Sequence, residues 1–256
     1  MLTDSKNSTL KASSIPLKDK ENIIFIRTAV VDWLYRVQIK VNFSRETLYS
    51  SIAIYDRVLL SIHVTRKDAQ LYAATSLWIS AKLEETIYKD ISIFTTIANN
   101  KLTADQLRST ELNIFSSIGM KLNFPTSQLF ITCIITRFEL QNIEKFCYFF
   151  LDASLTSLGL IEVPSYIVAA GAAALGSASV GNNIPLESLF AFLGFFSDNE
   201  KELFQSVVKK IINLAVNIVK WGNGGIFEYY SKDGKEKLRE IVKRAAKEFG
   251  IDKVNV

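Results

Sequence analysis

The residue types that most often carry out chemistry are thinly placed in this sequence. It has one histidine, His63, and two cysteines, Cys133 and Cys147. The cysteines sit in apolar segments at a separation that matches no zinc-binding spacing, which reads as buried free thiols in a reducing compartment. His63 falls between two helical segments, beside basic residues, and no Ser/His/Asp arrangement accompanies it. No glycine-rich phosphate loop is present. These absences argue against an enzyme, a resident metal and a cofactor. What chemistry the chain performs is expected to be that of a surface.

Composition bounds the elements that would carry such a surface. Hydrophobic residues make up 48% and charged residues 22% of the 256, so a large packed core is expected. With 4 prolines and 11 glycines, a design rich in tight β-turns is disfavoured and helices are favoured. The net charge of +4 is mild. Its densest basic run, residues 232–253, alternates sign, as a solvated helix face does, so no nucleic-acid partner is expected. The most apolar stretch, residues 166–180, falls short of the roughly 20 residues that a membrane span requires. Its Ala, Gly and Ser content suits a buried packing helix, so no membrane partner is expected and the chain reads as soluble. The start, MLTDSKNSTLKASS, has no secretory core segment.

Apolar positions recur at helical spacing from about Ile23; Leu48, Ile52, Tyr55 and Leu59 share one face. Ser44 is placed to cap the next helix, with Glu46 in its first turn. Thr65 before Asp68 and Thr103 before Gln106 both read as capping boxes. Pro125, Pro164 and Pro185 each precede a new periodic segment, where proline is harmless to a helix. The expected fold is all-α. It comprises a polar tail or helix (1–22), one bundle of about five helices (23–124), a second bundle (125–225) and a helical C-terminal tail (226–256).

Four segments in the first bundle carry a family resemblance: IRTAVVDWLYRV (26–37), ETLYSSIAIYDRVL (46–59), QLYAATSLWISAKLEE (70–85) and LTADQLRSTELNIFSSIGMKLNFPT (102–126). Together they resemble the cyclin box, in order and spacing, and most of all that of the A/B-type (mitotic) cyclins. The segment VPSYIVAAGAAAL (163–175) adds a match in the second bundle. The resemblance implies two five-helix cyclin-box bundles in tandem. It implies a regulatory subunit that binds and activates a cyclin-dependent kinase in cell-cycle control, working in nucleus and cytoplasm. Lys82 and Glu111 match the family positions that fix the register of the kinase's mobile helix. Leu83, Phe115, Met120 and Leu122 match its apolar surroundings, and Glu84 and Glu85 would face the kinase activation loop. Arg27 and Asp56 match an internal ion pair between the first two box helices. Ile26, Ala29, Val30, Trp33, Gln70 and Leu71 match a shallow groove that docks Arg-x-Leu peptides.

The chain departs from the family pattern at that groove. Arg36 stands where the family has glutamate, Asn100 where it has aspartate, and Ala29 where a larger aliphatic residue is usual. The Arg-x-x-Leu sequence at residues 57–60 lies within the box, so no usual destruction signal is expected. Competing readings are a cyclin-fold transcription factor that binds DNA, disfavoured by the mild charge, and a transcriptional cyclin with another kinase. Exchanging an acid for arginine turns attraction for a cationic peptide into repulsion. Arg-x-Leu peptides should therefore bind weakly or not at all by calorimetry, and micromolar affinity would contradict this.

Overall fold

The computed structural model describes residues 17–194 and 197–251, and every regular element among them is helical. Contacts divide these residues into two compact units between Phe124 and Pro125.

The first unit contains α1 (Leu17–Val41), α2 (Arg45–Ser61), α3 (Ala69–Glu84), α4 (Ile91–Ile97) and α5 (Ala104–Ser117). α1 starts earlier than the apolar periodicity from Ile23 indicates. Its added first turns include Lys20 and Glu21, strong helix formers that need no apolar face. Asn42, in the left-handed region at φ 56°, ends the helix. Ser44 then caps α2 by accepting from the Thr47 amide, and Thr103 and Gln106 form a reciprocal capping box on α5. The expected box at Thr65 is not one. Asp68, at the N-cap of α3, is already in the right-handed helical region and makes no side-chain cap bond. An N-cap side chain reaches the free amides from extended backbone, which Asp68 does not have. Thr65 Oγ1 instead donates to the Asp68 carboxylate at 2.6 Å, closing a turn before the helix.

α3 is the axis of this unit. Residues 73–81 are buried without interruption, so the helix has no solvent face over more than two turns. Helices of that kind need neighbours on every side. Here α2 packs along it most extensively, followed by α5, α1 and α4. Ala73, Ala74, Ser76, Ser80 and Ala81 are small enough to let those neighbours approach closely.

The second unit repeats the plan. It contains α6 (Ser127–Arg137), α7 (Glu144–Ser154), α8 (Ser165–Ala178), α9 (Leu186–Leu193), α10 (Asp198–Trp221), α11 (Gly225–Tyr230) and α12 (Lys235–Glu248). α8 is buried from Tyr166 to Ala178 and packs against α7, α6 and α10. Tyr166 donates its hydroxyl to Glu200 at 2.9 Å, and Glu200 also closes the capping box of α10 with Ser197. The charged C-terminal stretch is packed into this unit rather than trailing from it. Leu238, Ile241, Val242, Ala245 and Ala246 turn one face of α12 inward against α10 and α8. Tyr230 anchors the preceding turn, donating to the buried Asp152 at 2.7 Å. Among the described residues no helix is long and apolar enough to cross a membrane.

The tightest approach in the second unit is at Gly176, where a Cβ would stand 2.6 Å from the backbone N and Cα of Cys147. Burial pushes the Cys147 thiol up to about 12, so it stays protonated and serves as packing. Gly176→Ala must separate two helix backbones and should cost about 3 kcal/mol, the upper end for overpacking. In thermal unfolding that is a drop of about 6–12 °C. Gly171→Ala meets only side-chain atoms at 3.4 Å or more and should cost much less in the same measurement.

Candidate functional site

Three groups of side chains on the first unit are the candidates for a functional role. The first is a buried ion pair. Arg27 on α1 donates from Nε to Asp56 Oδ1 at 2.7 Å and from Nη2 to Oδ2 at 3.0 Å. The residues are 2% and 4% exposed, so two charges share the apolar interior as a fork-to-fork pair. Removing either partner would leave the other buried and uncompensated. Burial, reinforced by the Asp56 charge, raises the neighbouring Tyr55 hydroxyl above its ordinary range. On the next residue burial lowers the Arg57 guanidinium to about 10, opposed by Asp56, which leaves it charged at neutral pH. Arg57 lies 3.3 Å from the centroid of the Phe124 ring. With Leu60 it is half-buried on α2, so this Arg-x-x-Leu sequence is part of the packed helix.

The second group gathers at the C-terminal end of α3. Lys82 donates to Glu111 on α5, and its Nζ also sits 3.9 Å from the Trp78 ring centroid. The Lys82 and Glu111 side chains are 33% and 15% exposed, an edge position between core and solvent. Leu83 beside them is exposed. Phe115 lies one turn along α5 from Glu111 and is half-buried, as is Leu122. Gly119 and Met120 both adopt left-handed backbone, at φ 63° and 59°. The Met120 amide donates to the Phe115 carbonyl at 3.0 Å, which holds this non-glycine residue in a sparsely populated region with its side chain exposed. The result is a charged pair bordered by apolar side chains, able to present hydrogen-bonding groups to a partner helix.

Glu84 and Glu85, from the same end of α3, are both engaged with α2. Glu84 accepts from Ser50 Oγ at 2.6 Å. Glu85 accepts from the Ser44 amide at 2.7 Å and from Thr47 Oγ1 at 2.6 Å. Partial burial alone would raise the Glu85 pKa, but hydrogen bonds from Thr47 and Ser44, with the Lys89 charge, hold it below the usual carboxylate range. Glu85 therefore stays ionised as a clasp between α3 and the start of α2. Three exposed apolar residues at this end were not legible as site residues: Ile87, Tyr88 and Leu112. Their only sequence signal is bulk without periodicity, in the segment after Glu85 and on the outer face of α5.

The third group is an open groove of about 260 Å³ between α1 and the start of α3. Ile26, Ala29, Val30, Trp33 and Gln70 all line it. Leu71 is half-buried and lies outside the lining. Phe25, Arg66 and Ala69 complete it; Phe25 is 59% exposed and forms a wall. Arg36, one turn past Trp33, pairs with Asp32 at 2.9 Å on the surface of α1. Asn100 is one of two successive asparagines in left-handed backbone after α4. Among the described residues no cluster of His, Cys, Asp and Glu could hold a metal ion.

Residues 1–123 match the family described as cyclin, N-terminal domain. G2/mitotic-specific cyclin-B2 of Mesocricetus auratus is 27% identical over 198 residues, covering 77% of this chain and 50% of the relative. The human cyclin-B2 is 26% identical over the same share of each chain. Cyclin-B1 of Caenorhabditis elegans is 28% identical over 143 residues, 54% of this chain and 40% of the relative. The chain thus spans about half the length, or less, of these relatives. Two solved structures share the fold. A viral cyclin from herpesvirus saimiri has a TM-score of 0.65 at 14% identity, covering 75% of this chain and 86% of that one. The yeast RNA Pol II CTD kinase CTDK-1 complex has a TM-score of 0.66 at 15% identity, covering 95% and 81%.

The buried pair makes a sharp contrast between single and double substitution. Arg27→Met alone should destabilise the chain by about 3–5 kcal/mol in denaturant unfolding, because it strands Asp56 in the interior. Adding Asp56→Leu should recover most of that loss. If the double variant were as unstable as the single one, the pair would not act as a unit.

Proposed function

The chain belongs to the cyclin family, and from that premise we propose that it binds and activates a cyclin-dependent serine/threonine kinase in cell-cycle control. In this reading it is a regulatory subunit with no catalysis of its own, acting in nucleus and cytoplasm. The observation that carries the proposal is the Lys82–Glu111 pair, formed between residues far apart in sequence and bordered by exposed Leu83 and Met120. Protein kinases require a Lys–Glu pair of their own, closed only when one mobile helix is swung inward. A rigid face that grips this helix shifts the kinase toward the closed state by its differential affinity for it. Lys82 and Glu111 supply a donor and an acceptor for the helix backbone, and Leu83, Phe115, Met120 and Leu122 supply apolar anchorage. The engagement of Glu84 and Glu85 with α2 assigns them a second role, stiffening the platform beneath those contacts.

The B-type relatives support the cell-cycle assignment, and the CTDK-1 complex is by its own description a kinase assembly. The test is reconstitution with a panel of cyclin-dependent kinases, followed by Lys82→Ala and Glu111→Ala. Each variant should weaken kinase binding by about thirtyfold or more, corresponding to about 2 kcal/mol or more for a broken interfacial charge contact. Thermal unfolding should be nearly unchanged, because the pair sits at the protein edge. Activation by both variants at the wild-type level would overturn the interface assignment.

A further inference from the structure

We propose that the groove between α1 and α3 binds an extended peptide carrying a carboxylate side chain within about three residues of an aliphatic one. Its lining is apolar apart from Gln70 and a single charge, Arg66, and contains no carboxylate. Arg66 makes its side-chain contacts with neutral groups. Its Nε donates to the Asn22 side-chain oxygen at 3.0 Å, and its guanidinium carbon lies 4.6 Å from the centroid of the Phe25 ring. Among the described residues no carboxylate pairs with it. The side chain is thus oriented by a hydrogen bond and a ring while its charge remains unneutralised, an arrangement that stabilises an incoming anion.

The dimensions set the spacing. Arg66 stacks on Phe25, at one end of the α1 wall, and Trp33 forms the other end. From Ile26 to Trp33 the helix rises about 10 Å, a distance that an extended chain of polyproline II type spans in about three residues with the first and fourth side chains on one face. An acidic side chain at Arg66 therefore brings an aliphatic side chain onto Ala29 and Trp33. Beyond Trp33 the next charge on that stripe is again an arginine, Arg36, already paired with Asp32. The one charge in the lining is cationic and has no carboxylate partner among the described residues, so charge complementarity favours an acidic occupant over a cationic one.

This inference goes beyond kinase activation, and its test uses the chain without a kinase. Two blocked peptides are compared, Gly-Ser-Glu-Ala-Ala-Leu-Gly and its twin with arginine in place of glutamate. Binding is followed at low salt by calorimetry and by tryptophan fluorescence, with Trp33→Phe removing the local signal. The glutamate peptide should bind at least about tenfold more tightly than its twin, and Arg66→Glu should reverse that order. Equal affinities, tighter binding of the arginine peptide, no binding of either, or an order unchanged by Arg66→Glu would each overturn the proposal. Because Arg66 precedes the start of α3 and Lys82 lies in its last turn, about 20 Å further along the helix, loss of kinase activation in the Lys82 and Glu111 variants is read separately from this outcome.

Discussion

A helix that has lost its polar face cannot stand at a surface, and that constraint organises the first unit. Over residues 73–81 α3 offers solvent nothing, so α1, α2, α4 and α5 must enclose it. Enclosure has a cost. The Ser76 and Ser80 hydroxyls and the Trp78 indole N–H are buried there with no hydrogen-bond partner among the described residues. The close approach permitted by small residues offsets this through dispersion contacts on every side. Once the middle of α3 is fixed, so are its two ends, and each of these emerges at one of the candidate surfaces. Ala69 and Gln70 at its start line the groove, while Lys82 and Leu83 at its close belong to the charged platform.

Polar contacts then fix what apolar packing leaves free. Arg27 and Asp56 set α1 against α2 with a geometry that tolerates no slip, since a bidentate pair moved by one helical step would strand both charges. Glu85 joins the end of α3 to the start of α2 in the same manner, through the Ser44 cap. The cap oxygen of that serine closes α2 while its amide holds Glu85, so one residue serves a local and a long-range contact at once.

Much of this arrangement was legible in the sequence, for identifiable reasons. Helical periodicity, the Ser44 and Thr103 caps and the small-residue stretch after Pro164 act locally, and local rules read them. Where α1 starts within the polar stretch 1–22 was left open, because charged helix formers extend a helix without leaving an apolar stripe. The role of Thr65 was misread because a capping box depends on backbone conformation at Asp68, which residue types do not fix. At the site, the resemblance supplied Lys82, Glu111, Arg27 and Asp56, but the bonds of Glu85 to residues 44 and 47 needed the tertiary fold. Phe25 and Arg66 escaped for a similar reason: one lies on the exposed side of an amphipathic helix, the other in a connecting segment, and only folding brings them together.

The Lys82–Glu111 pair has a kinetic consequence for any partner that docks there. Opposite charges in contact present a dipole to solvent, and its field fades far faster with distance than that of a lone charge. The pair itself therefore does little to draw a partner in from afar; steering is left to the summed charge of the molecule, and what the pair contributes is made at contact range, where it lengthens the stay of a partner that fits.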